Sequence, residues 1–67
     1  MVKGDILREE IRCRGLKLYY VADQLGITQP TLRNKINGKQ DFTGPEIYEL
    51  SQLLGLTPKR RDQIFFA

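Results

Sequence analysis

Every proline in the chain follows a threonine by one or two residues: Thr28-Gln29-Pro30, Thr43-Gly44-Pro45 and Thr57-Pro58. Threonine is a good helix N-cap, because its hydroxyl accepts from a backbone N–H that has no intrahelical partner. Proline in the first turn costs little, since the N–H it lacks would go unpaired there anyway. The three pairs therefore read as helix starts. Glu46 reinforces the second by completing a T-x-x-E capping box with Thr43. Glycines at 15, 26, 38 and 55 supply matching stops.

Between these marks apolar residues recur at helical spacing. Ile6, Leu7, Ile11 and Leu16 make a stripe through a first helix over roughly 5–14. Leu18, Val21, Ala22 and Leu25 fall at i, i+3, i+4 and i+7, one face of a second. A third runs from the Thr28 cap to about Asn37, with Leu32 and Ile36 pointing the same way. Ile47, Leu50, Leu53 and Leu54 give the buried face of a fourth. A short fifth starts at Thr57-Pro58 and ends in Ile64, Phe65 and Phe66. No stretch alternates as a strand does, so the expectation is an all-α, compact five-helix bundle with residues 1–67 as a single domain. A fold of this length has a small core and buries only about 60% of its unfolded surface.

Composition removes several classes of function. Cys13 is the only cysteine and there is no histidine, so neither a disulfide nor a usual zinc set can form, and no cofactor is expected. Cys13 itself is expected as a buried or half-buried thiol in a reducing compartment. No apolar run approaches the ~20 residues of a membrane span, and the opening MVKGDILREE is too acidic for a signal peptide, which places the protein in the cytoplasm. Enzymatic activity is not expected. There is no glycine-rich phosphate loop, no nucleophile–base pair, and the carboxylates at 5, 9, 10, 23, 46, 49 and 62 are scattered over helix surfaces.

Charge distribution says more than the net value of +3. Residues 28–40 hold Arg33, Lys35 and Lys39 with no acid, and the next ten hold Asp41, Glu46 and Glu49 with no base. A one-signed surface of this kind suits a polyanion. The second and third helices are joined only by Leu25-Gly26-Ile27-Thr28, and Ala22 is small enough to let them approach closely. That is the arrangement of a helix-turn-helix unit, here about 18–37, whose second helix is presented to the DNA major groove. Opposite Leu32 and Ile36 lies Asn34, flanked by Pro30, Thr31 and Asn37, with Arg33 on the shoulder and Gln29 in the first turn. Asparagine and glutamine match adenine edges, arginine matches guanine, and Pro30 or the Thr31 methyl suits a thymine methyl. Asn37-Gly38-Lys39-Gln40 is expected to offer free backbone N–H groups and a lysine to a phosphate.

The run A-x3-G-I-T-Q-x-T-L over 22–32, followed by K-I-N-G-K over 35–39, resembles the phage Cro/repressor helix-turn-helix family. It looks most like the short Cro-type repressors of phages and prophages of Gram-positive bacteria. The resemblance extends to the arginine-bearing first helix ending in Gly15-Leu16, to E-I-x-x-L-x-x-L-L-G at 46–55 and to I-F-F at 64–66. It implies a lambda-repressor-like fold whose third helix reads double-stranded operator DNA, with a weak homodimer formed at least on a palindromic site. By position it places Gln29, Pro30 and Asn34, with Arg33 close by, at base contacts. Thr28, Thr31, Asn37, Gly38 and Lys39 fall at or beside phosphate contacts. Many relatives open the second helix with Thr-Gln, which grips a phosphate; here Lys17-Leu18 stands instead, leaving that contact to the Lys17 charge. No membrane and no small-molecule effector are expected as partners.

Ile64, Phe65 and Phe66 are expected to divide between monomer core and dimer interface. Tyr19 and Tyr20 fall off the buried stripe, Tyr20 most clearly, while Tyr48 is expected in partial core and Phe42 as a loop anchor. Lys59, Arg60 and Arg61 oppose the dipole at a helix N-terminus, so they either bear a small screened cost or pair with acids or phosphates. The exposed tyrosines and terminal phenylalanines also fit a different class, a protein-interaction module such as an antitoxin or antirepressor that reuses the fold.

Overall fold

Each of the three threonine caps is made as the sequence demands. In a computed structural model that describes residues 1–66, the Thr28, Thr43 and Thr57 hydroxyls accept from the backbone N–H groups of Thr31, Glu46 and Arg60. The Thr43–Glu46 capping box is complete in both directions. The resulting elements are α1 (Gly4–Cys13), α2 (Leu18–Leu25), α3 (Gln29–Ile36), α4 (Gly44–Leu54) and α5 (Pro58–Phe65). The described residues contain no strand.

The helices enclose one core. Leu7 and Ile11 of α1, Val21 and Ala22 of α2, Leu32 and Ile36 of α3, Leu50 and Leu54 of α4, and Ile64 and Phe65 of α5 are all buried. The half-buried Leu16, Leu18, Leu25, Ile27, Ile47 and Leu53 pack around them. Phe42 anchors the connection after α3 by setting its ring edge-on to Phe65, with centroids 5.4 Å apart. The Lys3 N–H donates to the Ile64 carbonyl at 2.7 Å, which fastens the start of the chain to α5.

Several side chains lie elsewhere than expected. Cys13 is exposed, because it sits about 200° around α1 from Ile11, away from the core. Its Sγ donates to Glu9 Oε2 at 3.3 Å, and that bond to a carboxylate pushes the thiol pKa up. Tyr48 is exposed instead of partly buried, being placed similarly far around α4 from Leu50. Tyr19 (66% exposed) is more open than Tyr20 (40%), the reverse of the expected order. Arg60 and Arg61 pair with acids: Arg60 Nε donates to Glu10 Oε2 at 3.1 Å, binding α5 to α1, and Arg61 reaches Asp62 at 3.0 Å.

Candidate nucleic-acid interface

The path from α2 to α3 depends on a tight reversal. Gly26 adopts a left-handed φ of 71°, and the Gly26 and Ile27 N–H groups return to the Asp23 and Ala22 carbonyls. A side chain with a Cβ resists that φ, so glycine permits a turn this short. Thr28 then caps α3. Its hydroxyl donates to Thr31 Oγ1 at 2.8 Å and accepts from the Thr31 N–H at 3.3 Å, which joins both threonines at the helix start.

α3 is gripped along one edge only. Leu32 and Ile36 are buried, and so is Lys35, at 8% exposure. The charge of Lys35 suggests the basic surface, but the residue lies about 60° from Leu32 on the helix wheel and therefore faces inward. Its Nζ donates to Glu46 Oε1 at 2.6 Å, and the same carboxylate accepts from the Thr43 N–H at 2.9 Å. Burial alone would raise the Glu46 pKa. The hydrogen bonds from Lys35 and Thr43 outweigh it and hold the carboxyl below its ordinary value. One acid thus closes the α4 cap and neutralises the inward cation of α3.

The far end of α3 is held by α1. A Cβ placed on Gly4 would lie 2.2 Å from the Ile36 carbonyl oxygen, so only glycine lets the two helix ends approach this closely. Arg8 Nη2 donates to Asn37 Oδ1 at 3.0 Å. Gly38 takes a φ of 82°, and the Asn37, Gly38 and Lys39 N–H groups return to the Arg33, Lys35 and Asn34 carbonyls. The free backbone N–H groups expected at 37–39 are therefore consumed in closing the helix, and the side chains of Asn37 and Lys39 are what this end offers.

What remains outward is polar. Arg33, Asn37, Lys39, Thr28 and Pro30 are exposed, and Gln29, Thr31 and Asn34 are half-buried. Lys17 is the N-cap of α2, is exposed, and makes no side-chain cap bond. Among the described residues, the basic side chains outside any ion pair are Lys3, Arg8, Lys17, Arg33, Lys39 and Lys59. Lys17, Arg33 and Lys39 belong to the α2–α3 unit and its exit, and Arg8 touches Asn37. Sequence periodicity gave no sign of Arg8, which lies 29 positions from its partner. Ile64 and Phe65 are spent in the monomer core, so Phe66, 63% exposed, is the one residue of the terminal trio that another molecule can reach.

A capped, edge-held helix crossing its predecessor over a glycine turn, with uncompensated cations around it, defines a helix-turn-helix domain. Residues 7–60 match the model of the helix-turn-helix family, and the chain belongs to that family. Membership carries double-stranded DNA binding and a role in transcription regulation with it. The five-helix, strand-free architecture is of the lambda-repressor-like kind. No curated protein and no solved structure gives a significant match. No helix among the described residues is long and apolar enough to cross a membrane.

Proposed function

We propose that the protein is a Cro-like repressor that binds palindromic operators as a weak homodimer, each copy setting α3 in the major groove. In this reading Gln29, Arg33 and Asn34 meet base edges and Pro30 makes apolar contact only. Lys17, Thr28, Thr31, Asn37 and Lys39 lie against phosphates, and Gly38, its N–H spent on the Lys35 carbonyl, only shapes the turn between the last two. The observation that carries it is the asymmetry of α3: Leu32, Lys35 and Ile36 are buried, and the rest of the helix is left polar with no internal partner for Arg33 or Asn34. A surface helix with no ligand has no need of that combination.

The copy-to-copy contact is assigned to the exposed aromatics Tyr48 and Phe66, which border one groove between α4 and α5. The same aromatics support the rival reading, a protein-interaction module. Titration of a randomised duplex library at several salt concentrations separates the two. Sequence-selective binding with a log–log salt slope of about −0.9 per phosphate contact supports the repressor. Indifference to sequence and a flat salt response reject it.

A further inference from the structure

From the position of Arg8 we infer that α1 supplies an additional DNA-backbone anchor, and that the same guanidinium fixes the side-chain amide of Asn37. The inference rests on the DNA-binding reading of α3.

Arg8 differs from its neighbours in what it holds. Arg12, Arg14, Arg60 and Arg61 each pair with a carboxylate, whereas Arg8 donates to the neutral amide oxygen of Asn37 at 3.0 Å. Asp5 borders the same surface depression, but its Oδ1 accepts from the Ile6 N–H at 3.0 Å and makes no ion pair with Arg8. The Arg8 charge therefore stays uncompensated at an exposed site.

Its place joins the two ends of the helix-turn-helix unit. On one side Arg8 borders a depression with Gly4, Ile36, Asn37 and Gly38, at the exit of α3. On the other it borders a shallow groove with Leu16 and Leu18, the residues flanking Lys17 at the entry of α2. The Lys17 side chain makes no cap bond there, so the α2 entry presents charge without geometry. Arginine supplies the geometry: of its five donors one goes to Asn37, and the remainder form a planar fork suited to two phosphate oxygens. Because Asn37 Oδ1 accepts from Arg8, the Nδ2 donors on the opposite branch of the amide face away from the guanidinium, available to the same strand.

The test uses a duplex of about 20 base pairs and arbitrary sequence, titrated over a range of KCl. Arg8→Ala is expected to make the log–log slope shallower by about 0.9, the signature of one lost phosphate contact. Arg8→Lys should keep the slope and lose affinity, since an ammonium lacks the planar fork that grips two phosphate oxygens while holding Asn37. Lys59→Ala removes the same charge from α5 and should leave the slope unchanged. Asn37→Ala should cost less in the Arg8→Ala background than in the wild type, since the amide is then already unfixed. An Arg8→Ala slope equal to wild type, or a Lys59→Ala change of the same size, overturns the phosphate anchor. Additive effects of Arg8→Ala and Asn37→Ala overturn the positioning. In each case the DNA-binding reading survives; failure of the wild type to bind the duplex overturns both.

Discussion

In the proposed function Asn34 meets a base edge and Lys39 a phosphate, and that difference is measurable. Asn34 is half-buried with no side-chain hydrogen-bond partner, and a free amide beside the groove can discriminate one base pair. Asn34→Ala should cost about 1–3 kcal/mol at a single operator position and little elsewhere, as read by competition among single-base variants. Lys39 lies past the end of α3 and is exposed. Its replacement by alanine should weaken every duplex alike and flatten the salt dependence. Loss confined to one base position would move Lys39 out of the phosphate class.

Residue-scale roles were legible wherever a residue obeys a local rule. The Thr28, Thr43 and Thr57 caps need only neighbours three positions on, so spacing alone revealed them. Lys35 shows where this stops. Its charge suggests the surface, and only the Glu46 carboxylate, 11 positions away, makes its burial tolerable. Arg8 and Asn37 meet across a still longer separation, which a helical wheel cannot register. Cys13 and Tyr48 depart from expectation for another reason: their angle around the helix, not their residue type, decides their exposure.

At the scale of the element, α3 is held at both ends and along one edge. Glu46 serves the edge, and its lowered pKa sets a pH dependence. A carboxyl depressed in the folded state contributes stability that is present above its unfolded value of about 4.3 and is lost as pH falls through the lower folded value. Denaturation midpoints in urea should therefore decline as pH drops from about 5 toward 3. Glu46→Gln should be less stable at neutral pH by roughly 1.5–3 kcal/mol, the worth of a charge-assisted hydrogen bond, and should lose less on acidification. Equal acid sensitivity in both proteins would remove Glu46 from the account.

Gly4 serves the C-terminal end of α3. Because a Cβ there would meet the Ile36 carbonyl oxygen, Gly4→Ala must displace backbone. The expected result is destabilisation on the order of 1–3 kcal/mol by thermal or urea melting, despite the better helix propensity of alanine. A stabilised variant would show that the two helix ends separate without cost. The sequence marked Gly15, Gly26, Gly38 and Gly55 as helix stops from position alone. Gly4 carried no such signal, because its constraint comes from a helix more than thirty residues away.

For the whole molecule, the arrangement of charge decides more than its sum. Glu10 accepts from Arg60 and lies 3.7 Å from Arg14, so one carboxylate absorbs a cation of α5 and another at the end of α1. Several of the unabsorbed ones surround α3. The fold itself was almost wholly legible, because five short amphipathic segments, three of them with explicit threonine caps, admit few other packings. The surface proposed for a second copy was not. Ile64, Phe65 and Phe66 look equivalent in sequence, and only packing separates two core residues from one exposed ring. Sedimentation velocity should find a monomer at micromolar concentration and two copies per palindromic duplex. Phe66→Ser should weaken the second binding event while sparing the first. Unchanged pairing on the duplex would shift the interface away from the α4–α5 groove.

The most direct test follows backbone and side-chain amide resonances as operator-length duplex is added. The signals of Gln29, Arg33, Asn34 and Lys39, and the side-chain amide of Asn37, should move or broaden first, while Leu50 in the core of α4 stays fixed. If α4 and α5 respond and Gln29 through Lys39 remain still, α3 is not the surface that meets DNA.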